Sequence, residues 1–206
     1  MERRIQGLRH SIALLFFCDW LNLTIPMDGI CELKTDRLYA HPLGDEDIDS
    51  LEAMHSDPSI MKTLGGVRSS MATQEYIETN KSHWESDGHG LWAFYDKEED
   101  SFVGRGGLRK VIVNGEPVVE VTYALHTDYW GKGLATEMAL ASVEAAFDEL
   151  HLPEVVAFTL PGNAASQGVI TKAGFRKTGT IQHGGEEHFL WRLTRDNWDR
   201  FDPAGY

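Results

Sequence analysis

Residues 129–137 read Tyr-Trp-Gly-Lys-Gly-Leu-Ala-Thr-Glu, at the point where a β-branched run hands over to a helical one. Glycines at 131 and 133 let the backbone take positive φ and approach a ligand closely. The amides of Gly133, Leu134, Ala135 and Thr136 then open a helix, without intrahelical acceptors and at the positive end of its dipole. Lys132 adds a cation beside them. Together these groups suit a pyrophosphate. The segment is neither of the two common nucleotide loops. It lacks the third glycine and the downstream acid of the dinucleotide fingerprint, and Gly133, not Ser or Thr, follows its Gly-Lys pair. Gly-x-Gly alone is also an ordinary turn, so its meaning depends on the elements that present it.

Those elements can be read along the chain. Leu33–Pro42 alternates as a strand that Pro42 ends. Asp45 then reads as an N-cap, followed by Ile48, Leu51 and Met54 at helical spacing until Asp57-Pro58. A second helix is expected over Thr73–Trp84, burying Tyr76, Ile77 and Trp84, with Gly65-Gly66 as the loop before it. Strands follow at 91–95, at 101–113 (interrupted by Gly104, Gly106 and Gly107) and at 117–125. Asn114-Gly115 between the last two is a type I′ hairpin signal. After the loop, Leu134, Met138, Ala141 and Ala145 share a helix face. Strand 155–160, helix 163–173 with Gly174 as its cap, and strands 175–182 and 188–193 complete the order β-α-α-β-β-β-α-β-α-β-β. One mixed sheet with helices on its faces is the natural architecture.

The 206 residues suffice for one domain with a full core. A net charge of −13 argues against general nucleic-acid affinity, which needs clustered Lys and Arg. It is compatible with a cationic acceptor, and equally with solubility alone. Cys18 and Cys31 offer neither a disulfide framework nor zinc spacing, and reduced thiols in a cytoplasmic protein account for them. His183 and His188, with Glu186 and Glu187, match no metal motif, so no metal is expected. Arg3, Arg4 and Arg9 precede the apolar run Ser11–Phe17, in the outline of a secretory leader. Asp19, Trp20 and Asn22 cut that run well below the ~20 residues of a membrane span. No Ala-x-Ala site follows, and Phe17 is too bulky for lipoprotein cleavage before Cys18. Residues 1–32 are therefore expected to be an extension, either an extra helix or an over-extended start with Met27 as the alternative beginning. The domain proper is expected at 33–206, with no membrane partner.

Four pieces of the chain, in order, carry a family resemblance. They are Leu33-x-Thr-x-Arg-Leu38, then Pro42-Leu43 with Asp57-Pro58, then Tyr129–Glu137, and finally Asn163-Ala-Ala-Ser166 leading to Lys172-Ala-Gly-Phe175. Leu33–Trp198, about four fifths of the chain, resembles the GNAT N-acetyltransferase superfamily, and within it the ribosomal-protein-alanine N-acetyltransferases. The resemblance implies an α/β (α+β) fold, with a single mixed, mostly antiparallel sheet of about seven strands. Helices lie on both faces, and the sheet is splayed between strands 4 and 5. It implies acetyl-CoA as cosubstrate, with pantetheine along the backbone of Ala124, Leu125 and His126. The pyrophosphate would lie on Gly131–Thr136, and Asn163 would touch the cofactor chain. Two positions depart from the family pattern. Trp130 stands where Gln or Arg is frequent, and Gly168 where an Arg often adds a phosphate contact.

The resemblance further implies acetyl transfer to an amine by direct attack in a ternary complex, since no Cys occupies a matched position. Glu120 corresponds to a general-base carboxylate, although it reads equally well as a solvent-facing or cation-paired residue. For the departing thiolate the candidates are Ser166, which matches the Asn-x-x-Ser motif, and Tyr123, which also reads as core or pocket wall. The expected acceptor is an N-terminal α-amine of a protein or peptide. The alternatives are a small amine (polyamine, amino acid or aminoglycoside-like) and a catalytically silent acetyl-CoA-binding module. A monomer and a homodimer are both compatible with the sequence.

Overall fold

The structure is a computed structural model and describes residues 30–202. The expectations for the N-terminal extension before residue 30 lie outside the described residues. Ile30 and Cys31 already pack against the core, and the Trp92 indole donates to the Ile30 carbonyl at 3.3 Å.

Eight strands form one sheet: β1 (Leu33–Lys34), β2 (Leu38–Pro42), β3 (Leu91–Asp96), β4 (Phe102–Val113), β5 (Glu116–Leu125), β6 (Glu154–Thr159), β7 (Arg176–His183) and β8 (Glu186–Thr194). Their order is β1-β2-β3-β4-β5-β6-β8-β7, antiparallel except at β5–β6. The eighth strand arises because the expected first strand folds back on itself. The Thr35 amide donates to the Leu38 carbonyl, and the Leu38 amide donates to the Thr35 hydroxyl, both at 2.9 Å, so Leu33 pairs with Ala40. The Asn114-Gly115 hairpin forms as expected, with both residues at positive φ and Val113 opposite Glu116.

Helices α1 (Ile48–Ser56), α2 (Pro58–Met61) and α3 (Ser70–Asp87) cover one face, with Leu51, Met54, Ile60 and Ile77 buried against Leu91 and Ala93. The cap before α1 differs from the expected Asp45, because the Asp47 carboxylate reaches back to the Gly44 amide at 2.9 Å. Asp57-Pro58 ends α1 and starts α2, since the Asp57 side chain accepts from the Ser59 amide and proline suits a first helical turn. α3 extends about a turn beyond both expected ends, capped by Ser69 and by Gly88 in the left-handed region. Asn80 fixes α3 on the sheet. Buried, it donates to the Leu43 and Leu91 carbonyls at 2.9 and 3.1 Å and accepts from the Leu91 amide.

The other face carries α4 (Leu134–Glu144), which runs on through a wider turn at Ala145–Glu149, and α5 (Ala164–Lys172). Trp92, Phe94, Val121, Met138 and Phe147 form its core. A short α6 (Arg195–Trp198), not expected from the sequence, follows β8.

Two irregularities shape the site. β5 meets β6 at one position, Glu120 opposite Val156, and continues to Leu125 without a strand partner on that side. This is the splay between the fourth and fifth strands of the sequence reading. The second is a bulge in β4, where Phe94 faces Gly104 but Tyr95 faces Phe102, leaving Val103 unopposed. Gly104 is required beside it, because a Cβ there would lie 2.2 Å from the Ala124 carbonyl oxygen.

Candidate active site

The loop before α4 presents backbone. Gly131 and Gly133 have φ of 73° and 82°, and α4 begins at Leu134. Among the described residues no backbone carbonyl accepts from the amides of Lys132, Gly133, Leu134 or Ala135, so these donors stay available for an anion. Thr136 differs from the expectation. Its amide donates to the Gly133 carbonyl at 3.1 Å, so that backbone donor is already spent in closing the first turn.

A clamp from the β1–β2 turn holds this loop. Arg37 Nη1 donates to the Lys132 carbonyl at 2.8 Å, while Nε and Nη2 reach Glu137 Oε2 at 2.7 and 2.6 Å. The Arg37 amide and the Thr35 hydroxyl both donate to Glu137 Oε1. Burial pushes the Glu137 carboxyl up, but the bonds from Thr35 and Arg37 and the guanidinium charge prevail and hold it below the usual range. The carboxylate inside the first turn of α4 also complements the helix dipole.

At the end of β5, two of the backbone groups expected to meet pantetheine are already engaged, the second of them toward β4. The Leu125 carbonyl accepts from the Trp130 indole at 3.0 Å, and the His126 amide donates to the Val103 carbonyl at 2.9 Å. Further along, the Tyr123 hydroxyl lies 2.9 Å from Ser166 Oγ and 3.1 Å from the Ser166 carbonyl. Burial raises the Tyr123 phenol well above its ordinary range, although the Ser166 bond lowers it, so the hydroxyl keeps its proton at working pH. Ser166 sits in α5, whose cap is Asn163: Asn163 Oδ1 accepts from the Ser166 amide at 3.1 Å. The carbonyl of Asn163 thus positions Ser166, and only its amide group remains to meet a cofactor chain.

Glu120 lies on the opposite face of β5, where alternation points it and Ala124 toward the α1–α3 side while Val121 and Leu125 face α4. It is buried and ion-paired through Oε2 with Arg109 Nε, so the solvent-facing reading fails and the cation-paired one holds. Beside the pair opens a cavity of about 400 Å³ walled by α3, β4 and β7, with Arg68, Tyr76, His83, Arg109 and His183 in its lining. Burial and the Arg109 charge lower His183, against the opposing pull of Glu120, so its ring is neutral at pH 7.

The GNAT acetyltransferase domain family matches residues 37–176 of this chain. The chain belongs to that family. Among curated relatives, YkkB of Bacillus subtilis is 29% identical over 76% of this chain and 91% of its own length. The FsC-acetyl coenzyme A-N(2)-transacetylase of Aspergillus fumigatus is 30% identical over 82% and 78%. The ribosomal protein uS5-alanine N-acetyltransferase of Escherichia coli is 23% identical over 52% and 58%. Among solved structures, an acetyltransferase from Agrobacterium tumefaciens superposes with a TM-score of 0.71 at 23% identity, covering 89% of this chain and 99% of its own. The aminoglycoside acetyltransferase AAC(6')-Ib, solved with coenzyme A, gives 0.66 at 16% identity, covering 79% and 98%. This acetyltransferase is accordingly an acetyl-CoA-dependent enzyme, and no described helix is long and apolar enough to cross a membrane.

The acetyltransferase therefore contains two groups of residues around the candidate site that the linear pattern did not disclose. The Arg37–Glu137 clamp joins two recognised motifs, but the 100 residues between its ends hide the contact. Arg68, Arg105 with Arg109, and His183 lie in three separate stretches: before α3, on β4 and at the end of β7. Arg105 carried a usable signal, being a charge set among apolar and glycine residues of a β run, but the bulge at Val103 concealed the face it takes.

Proposed function

We propose that the acetyltransferase moves the acetyl group of acetyl-CoA onto the primary amine of a small acceptor, by direct attack in a ternary complex. The opening of the sheet beyond Glu120 carries this reading, because it gives one face to the cofactor and leaves an open cavity on the other. Acetyl-CoA supplies an activated thioester. The amides of Gly133, Leu134 and Ala135 and the Lys132 ammonium hold its pyrophosphate, and the Arg37–Glu137 clamp keeps that loop in shape. Glu120 takes the amine proton through Oε1, the oxygen not used by Arg109. Tyr123 and Ser166, hydrogen-bonded to each other, stand where the thiol departs; Tyr123 donates the proton and Ser166 steadies the charge.

A cavity of about 400 Å³ suits a metabolite-sized acceptor. The second reading, a protein N-terminus, draws on the relative that acetylates a ribosomal-protein alanine. Acetyl-CoA should be incubated with small amines and with short peptides that differ in their first residue, following CoA release and identifying products by mass spectrometry. Turnover of small amines with peptides inert supports the first reading. Peptide-only turnover replaces it with the second. Cofactor binding without turnover of any amine defeats both.

A further inference from the structure

The charge of the cavity is opposite to that of the chain. Against a net −13 overall, its lining holds Arg68, Arg109 and Lys110 against one carboxylate, Glu75, with Arg105 close behind Tyr76. Two of these are neutralised: Arg109 by Glu120, and Lys110 by Asp87 at 2.7 Å. Neither Arg68 nor Arg105 has a carboxylate partner among the described residues. Arg68 Nη1 instead donates to His55 Nε2 at 3.0 Å, which makes His55 Nδ1 the donor to the Thr73 hydroxyl, also at 3.0 Å. Burial and the two adjacent guanidiniums push His55 down to about 3, so it stays neutral and serves to aim Arg68.

Arg105 is only 3% exposed, and its Nε has no hydrogen-bond partner among the described residues. The hydroxyl of Tyr76, which lines the cavity, is likewise buried and unpartnered. Both guanidinium carbons lie close to the Tyr76 ring centroid, Arg68 at 4.8 Å and Arg105 at 5.0 Å. The ring's π face offsets part of their charge, but a ring is not a counter-ion. Glu120, whose charge reaches Arg105, is committed to Arg109, and a buried guanidinium without an anion of its own is costly; the β4 bulge turns Arg105 toward this face instead of into the α4 core. The missing partner is an anion that arrives from solution.

We infer that the acceptor carries an oxyanion on the same small molecule as its amine, the anion seated at Arg68 with Arg105 behind Tyr76, and the amine at Glu120. The amine end rests on the acetyl-transfer reading; the anion end does not. A zwitterion placed this way satisfies both charges, its ammonium meeting the carboxylate and its oxyanion meeting the unpaired guanidiniums. The charge of buried Arg105 is poorly screened and acts over several ångströms, so Arg105 need not touch the anion to contribute. Arginine pairs favourably with both carboxylate and phosphate, and the test separates them.

The test is calorimetric titration of the CoA-saturated enzyme with matched ligands, monitoring acetyl transfer in parallel reactions with acetyl-CoA. The carboxylate arm uses β-alanine, γ-aminobutyrate and aspartate against their amides. The phosphate arm uses O-phosphoethanolamine against ethanolamine, and putrescine serves as the dication. At least one anionic ligand should bind about tenfold or more tightly than its neutral match, and Arg68→Gln should bring the pair within about twofold. Arg68 is only partly buried, so this variant avoids the folding risk of Arg105→Met, and unchanged circular dichroism and acetyl-CoA affinity verify it. Neutral amines or putrescine binding as tightly as every anionic match would overturn the inference, as would no anionic ligand binding at all. A preference that survives Arg68→Gln would overturn it too. Anion-dependent binding without acetyl transfer would instead break the transfer reading and leave the anion site standing. Transfer to neutral amines without preference would do the reverse.

Discussion

The two sides of the splayed sheet, in the proposed reading, recognise their ligands by different means. The cofactor side is built from consecutive backbone amides of residues 132–135, with its main side-chain charges, Arg37 and Glu137, paired to each other. The proposed acceptor side is built from side chains on α3, β4, β7 and the segment before α3, and two of its guanidiniums have no carboxylate ion pair among the described residues. A backbone site is indifferent to most substitutions around it and can serve one cosubstrate across a whole family. A side-chain site can be rewritten one residue at a time, which is how one fold serves many acceptors.

The largest effect that would test this contrast is on the backbone side. Gly133→Val puts a β-branched residue at a φ of 82°, which only a strained backbone accommodates. Acetyl-CoA affinity by calorimetry should fall about a hundredfold or more, while Gly90, Leu91 and the acceptor cavity, more remote in the sheet, are untouched. Retained affinity would mean that the loop does not cradle the pyrophosphate.

Next in size is Glu120→Gln. Catalytic turnover should fall about tenfold to a hundredfold with acetyl-CoA affinity preserved, as expected of a general base. Because Arg109 then loses its carboxylate, thermal or urea unfolding should show a loss of about 2 kcal/mol, below the fully buried case since Arg109 is 31% exposed. Unaltered turnover would remove Glu120 as the base and direct attention to His183, the neutral ring in the same cavity.

A smaller change is expected for Tyr123→Phe, about tenfold in kcat with little change in KM, because Ser166 remains at the thiol. The Tyr123 hydroxyl is held above the ordinary phenol range, so it should contribute no falling limb to the pH–rate profile below about pH 10. A limb that appears there in the native enzyme and vanishes in this variant would contradict the assignment.

The smallest effect belongs to the clamp. Glu137→Gln should weaken acetyl-CoA binding only several-fold, since the loop amides stay in place. Its pH dependence gives the sign. A carboxylate held below its ordinary value contributes while ionised and loses that contribution as pH falls through the lowered value. Affinity should therefore be insensitive to Glu137 from neutral pH through the ordinary glutamate range, falling only below it, and the acid fall should be missing from the variant.

The comparison also separates what was legible in the residues from what was not. Gly131-Lys-Gly133 and the Asn114-Gly115 turn announced themselves because their conformations are local, set by φ and by helix-end amides a few residues apart. Seven of the eight strands were legible for the same reason, as alternation and turn residues act over short range. The fold-back at Thr35 was missed because it depends on one hydroxyl and one amide that alternation does not encode. Thr136 illustrates a finer loss: its position in the loop was clear, but the closing of the first helical turn at Gly133 was not.

By itself the sequence determined the family, the sheet with helices on both faces, and the loop that presents free amides before α4. Each of these follows from contiguous residues whose backbone preferences are nearly independent of the rest of the chain. Only the tertiary structure decided that Glu120 is buried and ion-paired beside the cavity, that Arg37 and Glu137 lock the loop, and that Arg68 and Arg105 converge on Tyr76. Those facts depend on strand register, on a one-residue bulge that reverses which face Arg105 takes, and on the burial that gives a charge its cost. No local rule carries that information, because it exists only once distant segments have been brought together and water has been excluded between them.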